Sequence, residues 1–480
     1  MAMKRELLLE CASDEIRAAV LEDGRLCEIY QEGVNHKKLT ETLFLGRVQS
    51  IRPTVGAAFV DIGEALHAFL PLKEGTSLRC GDMIIVQGTA VQSVDTKGLR
   101  ISDTVNLAGK WLVLIPGERG VRYSKKIKDP QLRAALAEWV EPLCPEGCGL
   151  IVRTASADVD PDALAEEVEI LRKRWDQITV KAAGMTKPGV LFEPLDLGMR
   201  LVRDIGNTLS RVVSSDEDTI GRLTAARNDG WLSPETEIVR FDESAGLMND
   251  VFSLDAQVDK ALKKRVWLDC GGYLVFDACE ALTVIDVNSG KMILGKDTED
   301  NALRVNLQAA EEIARQLRLR NIGGIIVVDY IDMKMEEHRE ALLQRIKACS
   351  QADRSVVTVG GMTRLGLVEM TRKRQGEQLD RSLQVQCKTC TGNGRFLSGE
   401  EVARRALRQV RRMEIAGQRG PFLIRCAAQT ASALQNLSAE KLHAPVYALA
   451  EGGRHAERFE IEQLDFSAAL PKGAMQLRKG

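Results

Sequence analysis

Two acidic residues, Asp286 and Asp329, have the side chains and the placement needed to hold a divalent cation. If residues 282–288 form a strand, Asp286 and Asn288 share one face, because side chains two positions apart project together. Asp329 ends the apolar run 325–329. A hard cation such as Mg²⁺ prefers oxygen ligands and relieves the repulsion between two carboxylates. It also activates a coordinated water for attack on a phosphodiester.

A strand, a helix and a second strand are predicted to bring these side chains together. Apolar residues at helical spacing follow Thr298, and Asn321 with the glycines at 323–324 ends the helix. The run 325–329 is uninterrupted, which is typical of a strand covered on both faces. A βαβ unit makes the two strands parallel, so both aspartates lie at one edge of the sheet. The alternative, that they cap strands or bind backbone amides, stays open.

The pair Cys387-x-x-Cys390 has the spacing of a zinc knuckle. Structural zinc takes four ligands, yet no second such pair follows and the next histidine is His443. Half a site in one chain indicates a zinc ion shared between two chains, and hence a homodimer. A redox motif would instead open a helix after a strand. Two free thiols are the remaining alternative.

A possible site for a terminal phosphate lies at Arg153 and Thr154, directly after the predicted strand 150–152. A guanidinium group binds phosphate through two parallel hydrogen bonds, and a neighbouring hydroxyl adds a third. The alternative is an ordinary solvated arginine at a strand end.

Residues 40–105 contain many short predicted strands, the pattern of a small β-barrel. The alternation at 56–62 and 67–72 places small and aliphatic residues inside the barrel, and Phe59, His67 and Phe69 outside. Nucleic-acid bases stack on such rings. Phosphate contacts are expected from Arg47, Lys97 and Arg100. Burial of the two phenylalanines under a neighbouring domain is the other interpretation.

The composition is that of a globular chain of about three domains. Its 66 basic and 68 acidic residues give a net charge of −2, so any polyanion site is a local patch. No apolar run is long enough to span a bilayer, and the first residues make a poor signal peptide. Eleven cysteines, an odd number, favour a reducing compartment, and we expect a cytoplasmic protein.

Three long stretches resemble the catalytic half of the ribonuclease E/G family: EALTVIDVNSGK, EEIARQLRLRNIGGIIVVDYIDM and RLGLVEMTRKR. The stretch LGRVQSIRPTVGAAFVDIGEALHAFLPL resembles an S1-type OB-fold RNA-binding domain. The resemblance implies Mg²⁺ bound by Asp286 and Asp329, with Asn288 assisting. It also implies hydrolysis of single-stranded, A/U-rich RNA to 5′-phosphate and 3′-hydroxyl ends, in rRNA processing and mRNA decay.

The same resemblance implies a sensor for a 5′-monophosphate on the RNA. Arg153 and Thr154 match its arginine and threonine, while Gly109 and Val113 match residues that contribute backbone contacts. The family's second arginine falls on Lys125. Lysine is a point charge without the guanidinium fork, so we expect weaker sensing here. The family also shares one zinc ion between two chains, which implies a homodimer and in some members a homotetramer.

The resemblance implies a multidomain fold that combines α/β and β parts. Residues 1–34 and 196–260 would form an RNase H-like subdomain, 35–108 the S1-like barrel and 109–195 the 5′-sensor. Residues 261–385 would form a DNase I-like α/β catalytic subdomain, 386–396 the zinc link and 397–480 a small C-terminal α/β dimerisation domain. No long basic or proline-rich tail is evident, as in the short, ribonuclease G-like form.

Two other functional classes remain open at this stage. A non-catalytic RNA-binding or ribosome-associated protein would use the barrel alone and would have no need of the Asp286, Asn288 and Asp329 set. A metal-dependent DNase with an OB-fold would use both, and only a comparison of RNA and DNA substrates separates it from a ribonuclease.

Overall fold

A computed structural model describes residues 3–11, 15–33, 39–73, 77–90, 98–157, 159–290, 298–390, 392, 394–437 and 442–477. It divides into two compact units, Met1–Ser382 and Leu383–Gly480. Within the described ranges, no helix has the length and apolar character required to cross a membrane.

The chain begins with three antiparallel strands, β1 (Arg5–Cys11), β2 (Glu15–Glu22) and β3 (Arg25–Gly33). Asp23 and Gly24 form the turn between β2 and β3. Both residues have positive φ, 48° and 76°, the region that a tight hairpin turn requires.

Five strands then close into a barrel, which confirms the prediction for residues 40–105. The strands are β4 (Leu43–Arg52), β5 (Ala57–Asp61), β6 (Ala68–Pro71), β7 (Met83–Ala90) and β8 (Arg100–Ser102). They pair in the order β4-β5-β6-β8-β7, and the pairing of β4 with β7 closes the barrel. Its interior contains the predicted small and aliphatic side chains, among them Ala58, Val60, Ile62 and Leu70.

The next segment packs two helices on a small sheet. Its elements are β9 (Leu107–Ala108), β10 (Leu112–Pro116), β11 (Gly120–Tyr123), α1 (Pro130–Val140), β12 (Cys148–Val152), α2 (Pro161–Gly184) and β13 (Gly189–Phe192). The sheet has the order β11-β12-β10-β9, whereas β13 joins the barrel beside β4. Helix α2 is long, and its buried stripe extends to Ile178.

Residues 197–261 return the chain to the N-terminal sheet. They form α3 (Leu197–Ile205), β14 (Arg211–Ser214), α4 (Glu217–Asn228), β15 (Glu237–Arg240), α5 (Met248–Val251) and α6 (Leu254–Ala261). Strand β14 pairs in parallel with β1, and the complete sheet has the order β15-β14-β1-β2-β3.

The sheet that carries the two aspartates is built next. Its elements are β16 (Arg265–Trp267), β17 (Tyr273–Ala278), β18 (Leu282–Asn288), α7 (Thr298–Leu319), β19 (Gly324–Asp329), α8 (Glu336–Gln351), β20 (Val357–Met362) and β21 (Leu367–Arg372). The strand order is β16-β17-β18-β19-β21-β20. Strands β18 and β19 are parallel, which confirms the predicted strand–helix–strand unit.

The expectation that β19 is covered on both faces is wrong. Ile326 and Val328 are fully buried in the core that α7 and α8 form with the sheet, together with Ile285 of β18. On the other face Ile325 is 52% exposed. The apolar run is therefore explained by one buried face and one apolar but open face, which we call the open face of this sheet.

The second unit follows α9 (Leu379–Leu383), a short helix at the boundary between the two units. It is the expected small α/β fold. Its elements are α10 (Gly399–Ile415), β22 (Phe422–Cys426), α11 (Ala428–Asn436), β23 (Val446–Ala450), β24 (Phe459–Gln463) and β25 (Met475–Gln476). The strand order is β24-β22-β23-β25, and both helices pack on this sheet around Phe422 and Ile424.

Candidate active site

Asp286 and Asp329 occupy opposite positions on the neighbouring parallel strands β18 and β19. Such strands lie about 4.8 Å apart, and residues in register project to the same face. Both carboxylates are exposed on the open face. Asn288, two residues after Asp286, donates a hydrogen bond from Nδ2 to Asp286 Oδ2 over 2.7 Å. The three predicted residues therefore form one group.

The burial of alternate side chains explains why the carboxylates point outward. Thr283, Ile285 and Val287 of β18 face the helices and are buried, so Asp286 must project from the opposite face. Asn306 of α7 holds the chain just after Asp329. Its fully buried side chain donates to the carbonyl of Ile331 (2.8 Å) and accepts from the amide of the same residue (3.1 Å).

The chemistry of this group suits Mg²⁺. It offers two carboxylates and an amide oxygen, all hard donors, and Mg²⁺ binds through one or two carboxylates while it keeps several waters. Within the described parts of the chain, no group of three histidine, cysteine or acidic side chains could hold a metal. The nearby Asp277 of β17 is engaged by Lys264 over 2.6 Å.

The outward face of the barrel carries the predicted rings. Phe59 and Phe69 lie opposite each other on β5 and β6, with ring centroids 6.0 Å apart and planes at 78°. Both rings are partly exposed, and His67 is exposed. Arg100 lies next to Phe69 on β8 and is exposed, whereas Lys97 falls outside the described residues.

Arg47, the third basic residue considered for the barrel, points elsewhere. Its Nη2 donates to the carbonyl of Thr186, at 3.2 Å, in the loop before β13. This contact was not predictable, because the two residues are far apart along the chain.

The five residues of the expected 5′-sensor meet at one end of the sheet β11-β12-β10-β9. Arg153 Nη1 donates to the carbonyl of Gly109 over 2.6 Å. The Thr154 hydroxyl lies 3.1 Å from that of Ser124, the residue before the exposed Lys125. Val113 is partly buried and lies opposite Ala108.

Asp204 is a partner of Arg153 that the sequence did not indicate. Arg153 Nη2 donates to its Oδ1 at 2.7 Å, and Arg354 Nη2 donates to its Oδ2 at 2.9 Å. Arg203 Nε binds Oδ1 at 2.9 Å. Burial alone would raise the pKa of Asp204, but the three guanidinium groups together lower that pKa to about 2. Arg203 is the chain neighbour of Asp204, but Arg153 and Arg354 come from distant segments, so no local pattern could have predicted the whole group.

Glu167 of α2 is a second residue that sequence reasoning missed. Its buried carboxylate accepts hydrogen bonds from the backbone amides of residues 110, 111 and 112 at 2.6–2.9 Å. Burial raises the pKa of Glu167, and the three amides oppose that rise. A Cβ atom at Gly109 would lie 2.6 Å from this carboxylate, so only glycine fits there.

The Cys387–Cys390 loop lies in the second unit. Cys387 is exposed and Cys390 is partly buried. Backbone amides of Cys390 and Thr389 donate to the Cys387 sulfur and lower the pKa of its thiol, which favours the thiolate that binds zinc. The motif does not open a helix, since α10 begins only at Gly399, and this placement argues against the redox alternative.

Comparisons with known proteins identify the relatives of this chain. A profile of the Ribonuclease E/G family matches residues 106–375. The chain is 33% identical over 431 residues to Ribonuclease G of Haemophilus influenzae, covering 85% of this chain and 87% of that protein. It is 30% identical over 462 residues to Ribonuclease G of Escherichia coli K12, covering 92% and 94%.

The similarity extends to a longer protein. Ribonuclease E of Escherichia coli K12 is 32% identical over 430 residues, which cover 85% of this chain and 40% of that protein. The matched region of the family profile includes both Asp286 and Asp329, as well as Arg153 and Thr154. The chain therefore belongs to the ribonuclease E/G family.

Proposed function

We propose that this chain, an endoribonuclease of that family, cuts single-stranded A/U-rich RNA with Mg²⁺ held by Asp286 and Asp329. The products would carry 5′-phosphate and 3′-hydroxyl ends. The observation that carries the proposal is the register of β18 and β19, which sets Asp286 directly opposite Asp329 beside Asn288. A non-catalytic RNA-binding protein has no use for such a group.

The protein side chains have distinct tasks in this proposal. When bound, Mg²⁺ supplies an activated water and stabilises charge on the phosphodiester. Asp286 and Asp329 hold the cation, and Asn288 keeps the Asp286 carboxylate in one orientation through its 2.7 Å hydrogen bond. The open face leaves room for an extended strand of RNA over the carboxylates.

The barrel and the sensor are proposed to bind the rest of the substrate. Phe59 and Phe69 offer paired rings for base stacking, and His67 is exposed on the same strand region. Lys97 is retained as a phosphate-binding candidate on the sequence alone. A 5′-monophosphate would bind Arg153 and Thr154, with Lys125 and the backbone of Gly109 and Val113. Arg153 already binds Asp204, so a phosphate must either share the Arg153 guanidinium with that carboxylate or displace the carboxylate from it. This competition, together with Lys125, supports weak dependence on the 5′ end.

The larger organisation is likewise a proposal. The sheet β15-β14-β1-β2-β3 combines strands from 1–34 and 196–260, which supports an RNase H-like subdomain in two segments. Residues 261–385 would be the DNase I-like catalytic subdomain and 386–396 the zinc link. We propose a homodimer that shares Zn²⁺ through Cys387 and Cys390 of each chain. All eleven cysteines are free thiols, as expected in the reducing cytoplasm that we propose for this chain. A role in rRNA processing and mRNA decay is proposed from the family resemblance alone.

The test is cleavage of a short labelled oligonucleotide by the wild-type chain, as RNA and as DNA of the same sequence, with Mg²⁺ or EDTA. We expect RNA to be cut only with Mg²⁺ and DNA to remain intact. RNA with a 5′-monophosphate should be cut faster than RNA with a 5′-hydroxyl. Binding without cleavage would favour the non-catalytic RNA-binding alternative, and cleavage of DNA would favour the DNase alternative. Equal cleavage rates for RNA with a 5′-monophosphate and RNA with a 5′-hydroxyl would contradict the proposed sensor.

A further inference from the structure

The open face carries an aromatic pair beside the carboxylates. Trp267 of β16 lies opposite Tyr273 of β17, and Tyr273 lies opposite Asn288 of β18. Residues in register on neighbouring strands share a face. One row of side chains therefore runs from Trp267 through Tyr273 to Asn288. The adjacent row contains Asp286 and Asp329.

Trp267 is exposed, Tyr273 is partly exposed, and the two rings are in contact. Trp267 is 59% exposed, and its centroid lies 5.2 Å from that of Tyr273. The guanidinium of Arg265, also exposed, lies 4.4 Å from the Tyr273 centroid and 5.9 Å from the Trp267 centroid. The chain has only five tryptophans and five tyrosines, so exposing one of each side by side needs a reason other than core packing.

A tight turn fixes the rings relative to Asn288. Gly271 and Gly290 have positive φ, 91° and 63°. A Cβ at Gly290 would lie 2.2 Å from the Gly271 carbonyl oxygen, and one at Gly272 would lie 2.8 Å from the Asn288 carbonyl oxygen. The hairpin that joins the two rings is therefore pressed against the end of β18. Side chains at these glycines would move the rings away from the carboxylates.

We propose that Trp267 and Tyr273 stack one unpaired base of the RNA next to the scissile phosphate, and that Arg265 contacts a neighbouring phosphate. This inference rests on the proposed function and deepens it. An aromatic pair accepts the face of any base, and the adjacent cation matches the charged backbone. A base inside a duplex is already stacked on its neighbours, so the pair selects single-stranded RNA at the cleavage point.

The position of the pair favours RNA over a protein partner. The rings continue the row of Asn288 and adjoin the carboxylates at which the phosphodiester would be cut, and the Arg265 guanidinium lies over the Tyr273 ring. A strand of RNA lying over Asp286 and Asp329 would pass directly beside them. A covering protein would block that path.

The first experiment uses RNA oligonucleotides with a single abasic nucleotide at each position around the cleaved bond. Wild type should lose rate at one position close to that bond. Trp267→Ala and Tyr273→Ala should lower kcat/KM for intact RNA roughly 5- to 20-fold and abolish the abasic effect at that position. Trp267→Phe should retain it.

Trp139→Ala is the matched control, because Trp139 is an exposed tryptophan on α1, outside the open face. It should keep the wild-type rates and the wild-type abasic profile. An unchanged abasic profile in Trp267→Ala would overturn the proposal. If that variant instead alters only the oligomeric state, the rings contact protein and the proposal is equally overturned.

The second experiment does not depend on cleavage. RNA carrying 5-iodouridine is irradiated with the wild-type protein in EDTA, and the cross-linked peptide is identified by mass spectrometry. We expect it to contain residues 265–273, and the absence of this peptide at every labelled position would contradict base stacking on Trp267 and Tyr273. A cross-link there without cleavage in Mg²⁺ would retain the stacking proposal and overturn the proposed nuclease activity. Cleavage without the cross-link would retain the nuclease activity and overturn the stacking proposal.

Discussion

At the residue scale, the proposed metal site has few protein ligands. Two carboxylates in register supply the charge, and one amide hydrogen bond orients the first of them. With so few protein ligands, most of the coordination shell of Mg²⁺ remains water or substrate. The orientation of each carboxylate should therefore matter more than in a site with many ligands.

Replacing Asn288 tests that orientation. Asn288→Ala removes the hydrogen bond to Asp286, and we expect roughly 10- to 100-fold lower activity at low Mg²⁺. Because the defect is one of carboxylate orientation, higher Mg²⁺ should restore part of the rate. The measurement is the cleavage rate across a Mg²⁺ titration. A rate loss that is the same at every Mg²⁺ concentration would show that Asn288 acts elsewhere.

The ion pairs of Asp204 predict how the free energy of unfolding changes with pH. Its folded-state pKa of about 2 lies below the ordinary value of 3.8, so its ion pairs stabilise the fold above pH 4 and cease to do so as the pH falls towards 2. Asp204→Asn should lower the free energy of unfolding at pH 7 by about 2 kcal/mol. The measurement is urea unfolding of both proteins between pH 7 and pH 3.

The difference between wild type and Asp204→Asn should stay constant down to about pH 4 and shrink below it. A difference that already disappears between pH 7 and pH 5 would mean that the carboxyl is not ion-paired in solution.

At the element scale, the barrel offers a paired aromatic surface. Phe59→Ala or Phe69→Ala should weaken binding of a single-stranded oligonucleotide by about 1–3 kcal/mol. Because the two rings are in contact, the double variant should lose less than the sum. Fluorescence anisotropy of labelled RNA measures this, with Phe59→Tyr and Phe69→Tyr as ring-retaining controls. Wild-type affinity in the double alanine variant would exclude the barrel face from binding.

Elements with strong local patterns were predictable from the sequence. The alternation in Leu282–Asn288 gave the exact bounds of β18, and the apolar spacing after Thr298 gave the start of α7. Strand β14 was not predictable, since it has four residues and exists through pairing with β1 about 200 residues earlier. Local propensity carries little information about such a strand.

The site was predictable only in part, for the same reason. Asp286, Asn288 and Asp329 follow from strand periodicity and the parallel connection. Asp204 depends on two arginines from distant segments, Arg153 and Arg354, so only the folded chain reveals it. Tyr273 could have been found by applying the alternation test to Tyr273–Ala278, where Leu274 and Phe276 are buried and Tyr273 is not.

At the scale of the first unit, buried ion pairs join the N-terminal sheet to the helix that connects the two aspartates. Arg318 of α7 pairs with Glu22 of β2 and with Glu28 of β3, all with little solvent exposure. Breaking such a pair leaves a buried charge without its partner, typically at a cost of 3–5 kcal/mol. The N-terminal strands therefore belong structurally to the candidate active site.

At the scale of the assembly, the cysteine pair makes a prediction about zinc. The purified protein should contain one zinc ion per two chains. Cys387→Ser should remove both the zinc and the dimer, because each chain supplies only half of a tetrahedral site. Elemental analysis and light scattering measure the two quantities. Cys80→Ser, which changes another exposed thiol, should alter neither. A zinc-free wild-type dimer that survives Cys387→Ser would contradict a shared site.

The central claim is that Asp286 and Asp329 act together on one cation. The most direct test compares RNA cleavage by Asp286→Asn and Asp329→Asn with cleavage by Asp277→Asn, a control on the same face whose carboxylate is engaged by Lys264. We predict that the first two variants fold normally and bind RNA but lose nearly all cleavage at any Mg²⁺ concentration. Asp277→Asn should cut at close to the wild-type rate. Near-normal turnover in both of the first two variants would contradict the account.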